Sequence, residues 1–162
     1  MLTALQQFKD DYDKNQPIWK ILPQFALAYP RYERMGLRDL CQQIHDTYKI
    51  NNVAHMTTDM YLSDMQPAMK PSDAFAKMAH EEIERVEIDK LEGKVTAVLL
   101  TPYPPGIPLL IPGERFNKTI VDYLKFAREF SEKFPGFETD VHGLVAEVEN
   151  GVKKYFVDCV KV

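Results

Sequence analysis

Apolar residues recur along this chain with two different periods, and the change of period divides it. Leu2, Leu5, Phe8 and Tyr12 share one face at helical spacing, and Asn15-Gln16-Pro17 closes that helix. Pro23 and Pro30 cut the next stretch into short pieces holding Trp19, Phe25 and Tyr29. Residues 1–30 therefore read as a connecting helical arm that packs on something else. After Gly36, the stripe Leu37, Leu40, Cys41, Ile44 and Tyr48 predicts a helix over residues 37–50. Another helix is predicted over 52–62, with Val53, Met56, Met60 and Tyr61 apolar. Pro67 and Pro71 bracket an extended link, and Pro71 suits the first position of a further helix. Ala74, Phe75, Met78, Ala79 and Glu82 line one side of it, ending near Glu84.

The pattern then changes to period two. Glu84, Val86 and Ile88 alternate with Arg85 and Glu87, a short half-exposed strand, and Leu91-Glu92-Gly93 turns the chain. Lys94 to Leu100 is almost continuously apolar, which predicts a central strand covered on both faces. Asn117 is a suitable N-cap for a long helix whose buried face is Ile120, Leu124, Ala127, Phe130 and Phe134. Pro135-Gly136 stops it. Leu144–Glu149, Asn150-Gly151 and Val152–Val160 form a hairpin with a two-residue type I′ turn. That turn sets Glu147 opposite Lys154 and Val145 opposite Phe156. The fold class is α+β: N-terminal helices, then a mostly antiparallel sheet with one long helix packed on it, the second part spanning residues 31–162.

Between the apolar run and the long helix lies Leu99 to Phe116, with five prolines and two glycines in an otherwise apolar stretch. Proline fixes φ and removes a donor, so this stretch is neither helix nor a fully laddered central strand. Pro105-Gly106 and Pro112-Gly113 suit the central positions of type II turns. Ile107 to Ile111 between them is extended and too apolar to lie in water. The expected result is a stiff, half-buried loop with Glu114 at its exit, preordered because its entropy is low even when unfolded. Stiff loops after strands are frequent places for binding residues.

Composition adds little. At 162 residues the chain makes one domain, or a domain with a helical appendage, and can bury a real core. A net charge of -4 without a Lys/Arg cluster gives no footprint for nucleic acid. No apolar run is long enough for a bilayer and no signal peptide opens the chain, so no membrane partner is expected and a cytoplasmic setting is. Cys41 and Cys159 lie outside any metal spacing and read as small reduced core residues.

Candidate chemistry is sparse. His80-Glu81-Glu82 carries half of a zinc-protease motif, but Glu84 stands in place of the second histidine, so a solvated helix end fits better. Cys41 and His45, one turn apart, supply two ligands where a structural site needs four. Asp140 and His142 form either an acid/base pair or a polar turn. There is no phosphate loop, nucleophile elbow or paired-carboxylate constellation. Glu114 is the first residue to test, as a functional carboxylate or as the acid of a following helix start.

Two segments carry a family resemblance. Pro102-Tyr103-Pro104-Pro105-Gly106-Ile107-Pro108 with Pro112-Gly113-Glu114, and Phe134-Pro135-Gly136-Phe137-Glu138-Thr139-Asp140-Val141-His142-Gly143, resemble the C-terminal domain of bacterial ornithine/lysine/arginine decarboxylases. Met35-Gly36-Leu37-Arg38-Asp39-Leu40-Cys41 and Gly93-Lys94-Val95 sit where that family has similar segments, so the likeness runs from about Pro30 to Gly143. The resemblance implies part of a pyridoxal-phosphate enzyme that releases CO₂ from a basic amino acid, leaving a diamine or polyamine. The cofactor's lysine, its carboxylate partner and its phosphate site would belong to a preceding large domain of the same polypeptide. This chain alone is then expected to be inactive and to hold neither catalytic nor cofactor-binding residues. Tyr103, Pro104, Pro105, Gly106, Ile107 and Pro108 are the expected wall of the substrate channel, with Glu114 facing a cationic substrate. Lysine is favoured over arginine or ornithine by wording such as Met60-Tyr61-Leu62-Ser63-Asp64-Met65. Family members assemble as homo-oligomers, so apolar surface around Trp19 and Phe25 is expected at an interface. Two readings compete: a non-catalytic assembly or regulatory module, and a small acid/base enzyme using Glu114 and His142.

Overall fold

The computed structural model describes residues 2–103, 105–149 and 151–161; Pro104 and Asn150, and with Asn150 the type of the hairpin turn, lie outside the described residues. The chain divides into two compact units, Met1–Ala54 and His55–Val162.

The first unit is helical. Helix α1 (Leu2–Asp13) is followed by the short α2 (Ile18–Ile21) and α3 (Pro23–Ala28), a 3-10 turn at Pro30–Tyr32, and α4 (Leu37–Ile50). No residue of α1 is buried, and Leu2, Leu5 and Phe8 are mostly exposed. Its apolar stripe is therefore real but uncovered. Asn15 ties the start of α4: its Oδ1 accepts from the Arg38 amide and its amide nitrogen donates to Asp39. A Cβ at Gly36 would overlap the Asn15 side chain, which would have to shift from these bonds. Phe25 is half-buried and stacks on Tyr32 at 5.5 Å between centroids, while Trp19, Leu22 and Leu27 around it are exposed.

In the second unit the elements run α5 (Val53–Leu62, beginning at the unit boundary), α6 (Pro71–Ala79), β1 (Ile83–Glu87), β2 (Thr101–Tyr103), α7 (Lys118–Lys133), β3 (Asp140–His142), β4 (Val145–Glu149) and β5 (Val152–Val160). The strands form two antiparallel pieces, one of order β1-β5-β4 and one pairing β2 with β3. The hairpin register is the expected one, Glu147 with Lys154 and Val145 with Phe156. The expected side-chain pairing differs: Glu147 binds Arg85 at 2.6 Å, and Lys154 binds Glu149. Arg85 also holds Asp158 at 2.9 Å, so one guanidinium clamps all three strands on their outer face. Its planar fork suits two carboxylates.

Helix α7 starts where Asn117 Oδ1 accepts from the Ile120 amide and stops at Phe134 and the left-handed Gly136. Ile120, Val121 and Leu124 share one core with Val86, Ile88, Val157, Cys159, Leu109, Leu110 and Phe116. A smaller cluster of Ala74, Val95, Ala97 and Val160 covers the other side of the end of β5.

Two expectations fail. Helix α6 ends at Ala79, not near Glu84, because His80 caps it and Glu81 turns left-handed at φ 60°. Phe75 faces solvent. Lys94–Leu100 is also no strand. Val95, Thr96, Ala97 and Leu100 are buried but Leu99 is exposed, and the segment is held by isolated bridges, Val95 with Arg115, Thr96 with Cys159 and Leu100 with Leu110. The Thr96 hydroxyl takes both backbone groups of Val98, accepting from its amide and donating to its carbonyl. A side chain that captures the backbone in this way ends a ladder.

Asp89, in the 3-10 turn at Ile88–Lys90, binds Arg128 of α7 at 2.6 Å, with Lys125 at 3.7 Å. The hydrogen bond from Arg128 holds the Asp89 carboxyl below its ordinary range. A depressed carboxyl stabilises the fold above its unfolded pKa, and the contribution is lost as pH falls through the folded value. Asp89→Asn is expected to lower stability by about 0.5 kcal/mol at pH 7, a value discounted because the pair is partly solvated. At pH 2 the variant and the parent should unfold at equal urea concentration. A difference as large at pH 2 as at pH 7 contradicts the ionic origin.

Candidate functional site

The proline-rich stretch leaves the core and returns to it at one point. The Leu100 amide donates to Leu110 O at 2.9 Å, and the Leu109 amide donates to Leu100 O at 2.7 Å. Leu100, Leu109 and Leu110 are all buried, so the excursion between them stands on an apolar base. Its outgoing limb is β2. Proline tolerates this position because β2 is paired on one side only, and the missing amide of Pro102 breaks no ladder. Pro105-Gly106 makes the tip, with Gly106 at φ 79° and its amide donating to Pro102 O. The Tyr103 ring lies against this glycine, where a Cβ would approach the ring to 3.0 Å. The returning limb is tied to α5, whose Tyr61 hydroxyl donates to Ile107 O at 3.0 Å.

Tyr103, Pro105, Gly106, Ile107 and Pro108 are all exposed, and Pro104 lies outside the described residues. Beyond Ile111 the expected second turn closes, with Gly113 at φ 95° and the Glu114 amide donating to Ile111 O. Glu114 is half-buried and its Oε2 accepts from the Ile111 amide at 2.8 Å. Its carboxylate therefore fastens its own turn as well as carrying a charge. Gly113 is packed hard: a Cβ there would meet Met69 O at 2.5 Å.

The partner of β2 is β3. The two motifs singled out in the sequence thus hydrogen-bond to each other: Thr101 opposes His142, Pro102 opposes Val141 and Tyr103 opposes Asp140. Pro102 and Val141 turn inward, while Tyr103, Asp140 and His142 are exposed. His142 Nε2 lies 3.1 Å from Asp140 Oδ2, so these two do meet, on a strand and not in a turn. Sequence reading missed this strand. Its signal was the alternation of polar Asp140, apolar Val141 and polar His142, too short to be decisive.

The other candidates have local roles. His80 Nδ1 sits 2.7 Å from Ala76 O at the end of α6. Burial pushes the Cys159 thiol up to about 12, which leaves it protonated and inert at neutral pH. The residues do not fit a covalently held pyridoxal phosphate. That cofactor needs a desolvated lysine of lowered pKa. Among the described residues no lysine is buried, and the hydrogen bonds of Lys94 to Glu84 and Lys154 to Glu149 hold those ammoniums above their ordinary range.

Comparison with known proteins gives a consistent result. The pattern described as Orn/Lys/Arg decarboxylase, C-terminal domain, matches residues 54–161. Lysine decarboxylase LdcA of Pseudomonas aeruginosa is 46% identical over 99% of this chain and 22% of its own length. The constitutive lysine decarboxylase of Escherichia coli is 34% identical over 94% of this chain and 22% of its own. The solved structure of lysine decarboxylase A from Pseudomonas aeruginosa superimposes with a TM-score of 0.91 at 47% identity, covering 98% of this chain and 22% of that one. The chain thus spans about a fifth of the length of the curated relatives it matches. With its two motifs paired on one outward ribbon and the match running through both, this chain belongs to the family of ornithine/lysine/arginine decarboxylase C-terminal domains.

Proposed function

We propose that this chain acts as the C-terminal domain of a pyridoxal-phosphate-dependent decarboxylase of basic amino acids, with lysine as substrate. Both relatives named above are called lysine decarboxylases, which supports that choice. The cofactor, bound by a large domain of the same polypeptide, supplies an electron sink for loss of CO₂. The enzyme works in the cytoplasm as a homo-oligomer, and residues 1–30 are the connecting arm.

The observation that carries the reading is the ribbon itself. Tyr103, Pro105, Gly106, Ile107 and Pro108 form a wall of the path to the reaction centre, and Glu114 adds negative charge beside it. A wall made of proline and a tight turn keeps its shape without a partner, and a fixed carboxylate draws a cation more strongly at low salt. Glu114→Gln is the informative change, because an amide oxygen can still accept from Ile111 while the charge is gone. In the complete enzyme this variant is expected to lower kcat/KM for lysine about fivefold at low ionic strength, and less as salt rises. Unchanged kinetics at low salt would remove Glu114 from the path.

One observation favours the assembly reading as an added role. Leu2, Leu5, Phe8 and Trp19 are all more than half exposed, an apolar surface that suits burial against other protein. Mixing this chain with the matching large domain separates the two contributions. Restored turnover supports the wall, and restored assembly without turnover supports the module.

A further inference from the structure

The register of the two-stranded piece sets the exposed Tyr103 opposite the exposed Asp140. Directly opposed residues of an antiparallel pair hold their Cβ atoms about 4.5–5.5 Å apart. The register thereby brings a phenol-bearing and a carboxylate-bearing position opposite each other on the outward face. Each is restrained by a neighbour. The ring rests on Gly106, where even a methyl group would press it. The carboxylate receives His142 Nε2 on Oδ2 at 3.1 Å, which leaves Oδ1 able to accept from another donor. Beneath them Val141 and Pro102 are buried, so the pair sits on packed backbone.

We propose that Tyr103 and Asp140 form a recognition site for a primary alkylammonium group, with His142 as the positioning residue that orients the carboxylate. The inference rests on the channel reading and deepens it by naming the side chains that meet the incoming cation. Asp140 supplies the charge, while the Tyr103 ring supplies a cation–π face and a surface for methylene groups. A neutral ligand of the same length gains only the second of these. On the side of Asp140 away from Tyr103, a groove is lined by Glu138, Lys153 and Tyr155.

The test is an NMR titration of this chain with 1,5-diaminopentane, with lysine, and with 1,5-pentanediol at matched ionic strength. Both amines are expected to shift the Tyr103 ring and His142 resonances saturably, and the diol is not. Asp140→Asn should weaken amine binding about fivefold, and Asp140→Glu should restore it. His142→Gln, which can still donate to the carboxylate, should bind as the parent does, whereas His142→Ala should not. Amide resonances of β5 report that each variant is folded. Equal shifts with amine and diol, or unchanged affinity in Asp140→Asn, overturn the site. If the amines titrate these residues while Glu114→Gln leaves kcat/KM intact, the ammonium site stands and the Glu114 role falls. If Glu114→Gln lowers kcat/KM and no amine binds, the ammonium site alone falls.

Discussion

Replacing Phe116 with alanine is expected to destabilise residues 55–162 by about 3–5 kcal/mol. Phe116 is 1% exposed and lies in the main core with Ile120, Leu124, Leu110 and Val157. The size of the effect depends on whether the site can collapse around the lost ring. Here collapse is resisted by the backbone. The Phe116 amide donates to Lys94 O at 2.9 Å, and its carbonyl accepts from the Gly93 amide at 2.9 Å. The neighbouring Arg115 amide is held by Gln66 O. A segment pinned on both sides cannot move inward, so most of the vacated volume persists as a cavity. Urea unfolding followed by tryptophan-independent signals, such as far-UV circular dichroism, measures the loss. A cost under about 1.5 kcal/mol would mean that the core relaxes freely, contrary to the pinning.

The second large effect is expected at Gly143, where the two motifs join. Gly143 has φ 92°, and a Cβ there would lie 2.3 Å from Leu99 O. Leu99 O belongs to backbone and a Cβ is held rigidly by its own Cα, so neither can swing aside. Gly143→Ala is expected to cost about 3 kcal/mol, from the left-handed conformation and the clash together, and to detach β3 from β2. Gly93 provides the comparison: it has φ 79° and nothing within 4 Å of the added carbon. Gly93→Ala should therefore cost about 1 kcal/mol, the conformational part alone. Amide exchange at Asp140 and His142 should accelerate in the first variant and stay unchanged in the second. Equal stability losses would show that the contact with Leu99 has no weight.

What could be read from the residues and what could not follows from the range of the forces involved. The bounds of α4 match the predicted helix over residues 37–50, because an amphipathic stripe after Gly36 is a local signal. The hairpin register was legible for the same reason, since a two-residue turn sets every later pair. Lys94–Leu100 was misread because burial does not require a ladder. Its place is set by Arg115, Cys159 and Leu110, far away in sequence, and by one threonine hydroxyl. In the candidate site, the turns at Gly106 and Gly113 were evident from Pro-Gly pairs. The pairing of Tyr103 with Asp140 was not, because no local pattern announces a partner that far along the chain. Resemblance found both motifs, and only the folded chain put them together.

The neck at Leu100 and Leu110 has a consequence for grafting. Because the protruding segment both leaves and re-enters there, its contents can be replaced as one block above the buried leucines. The graft must carry residues 140–142 along with residues 101–109, since each lends the other half of its backbone bonding. Transplanted as a matched couple, the two segments keep their pairing; moved singly, either one leaves its mate unpaired.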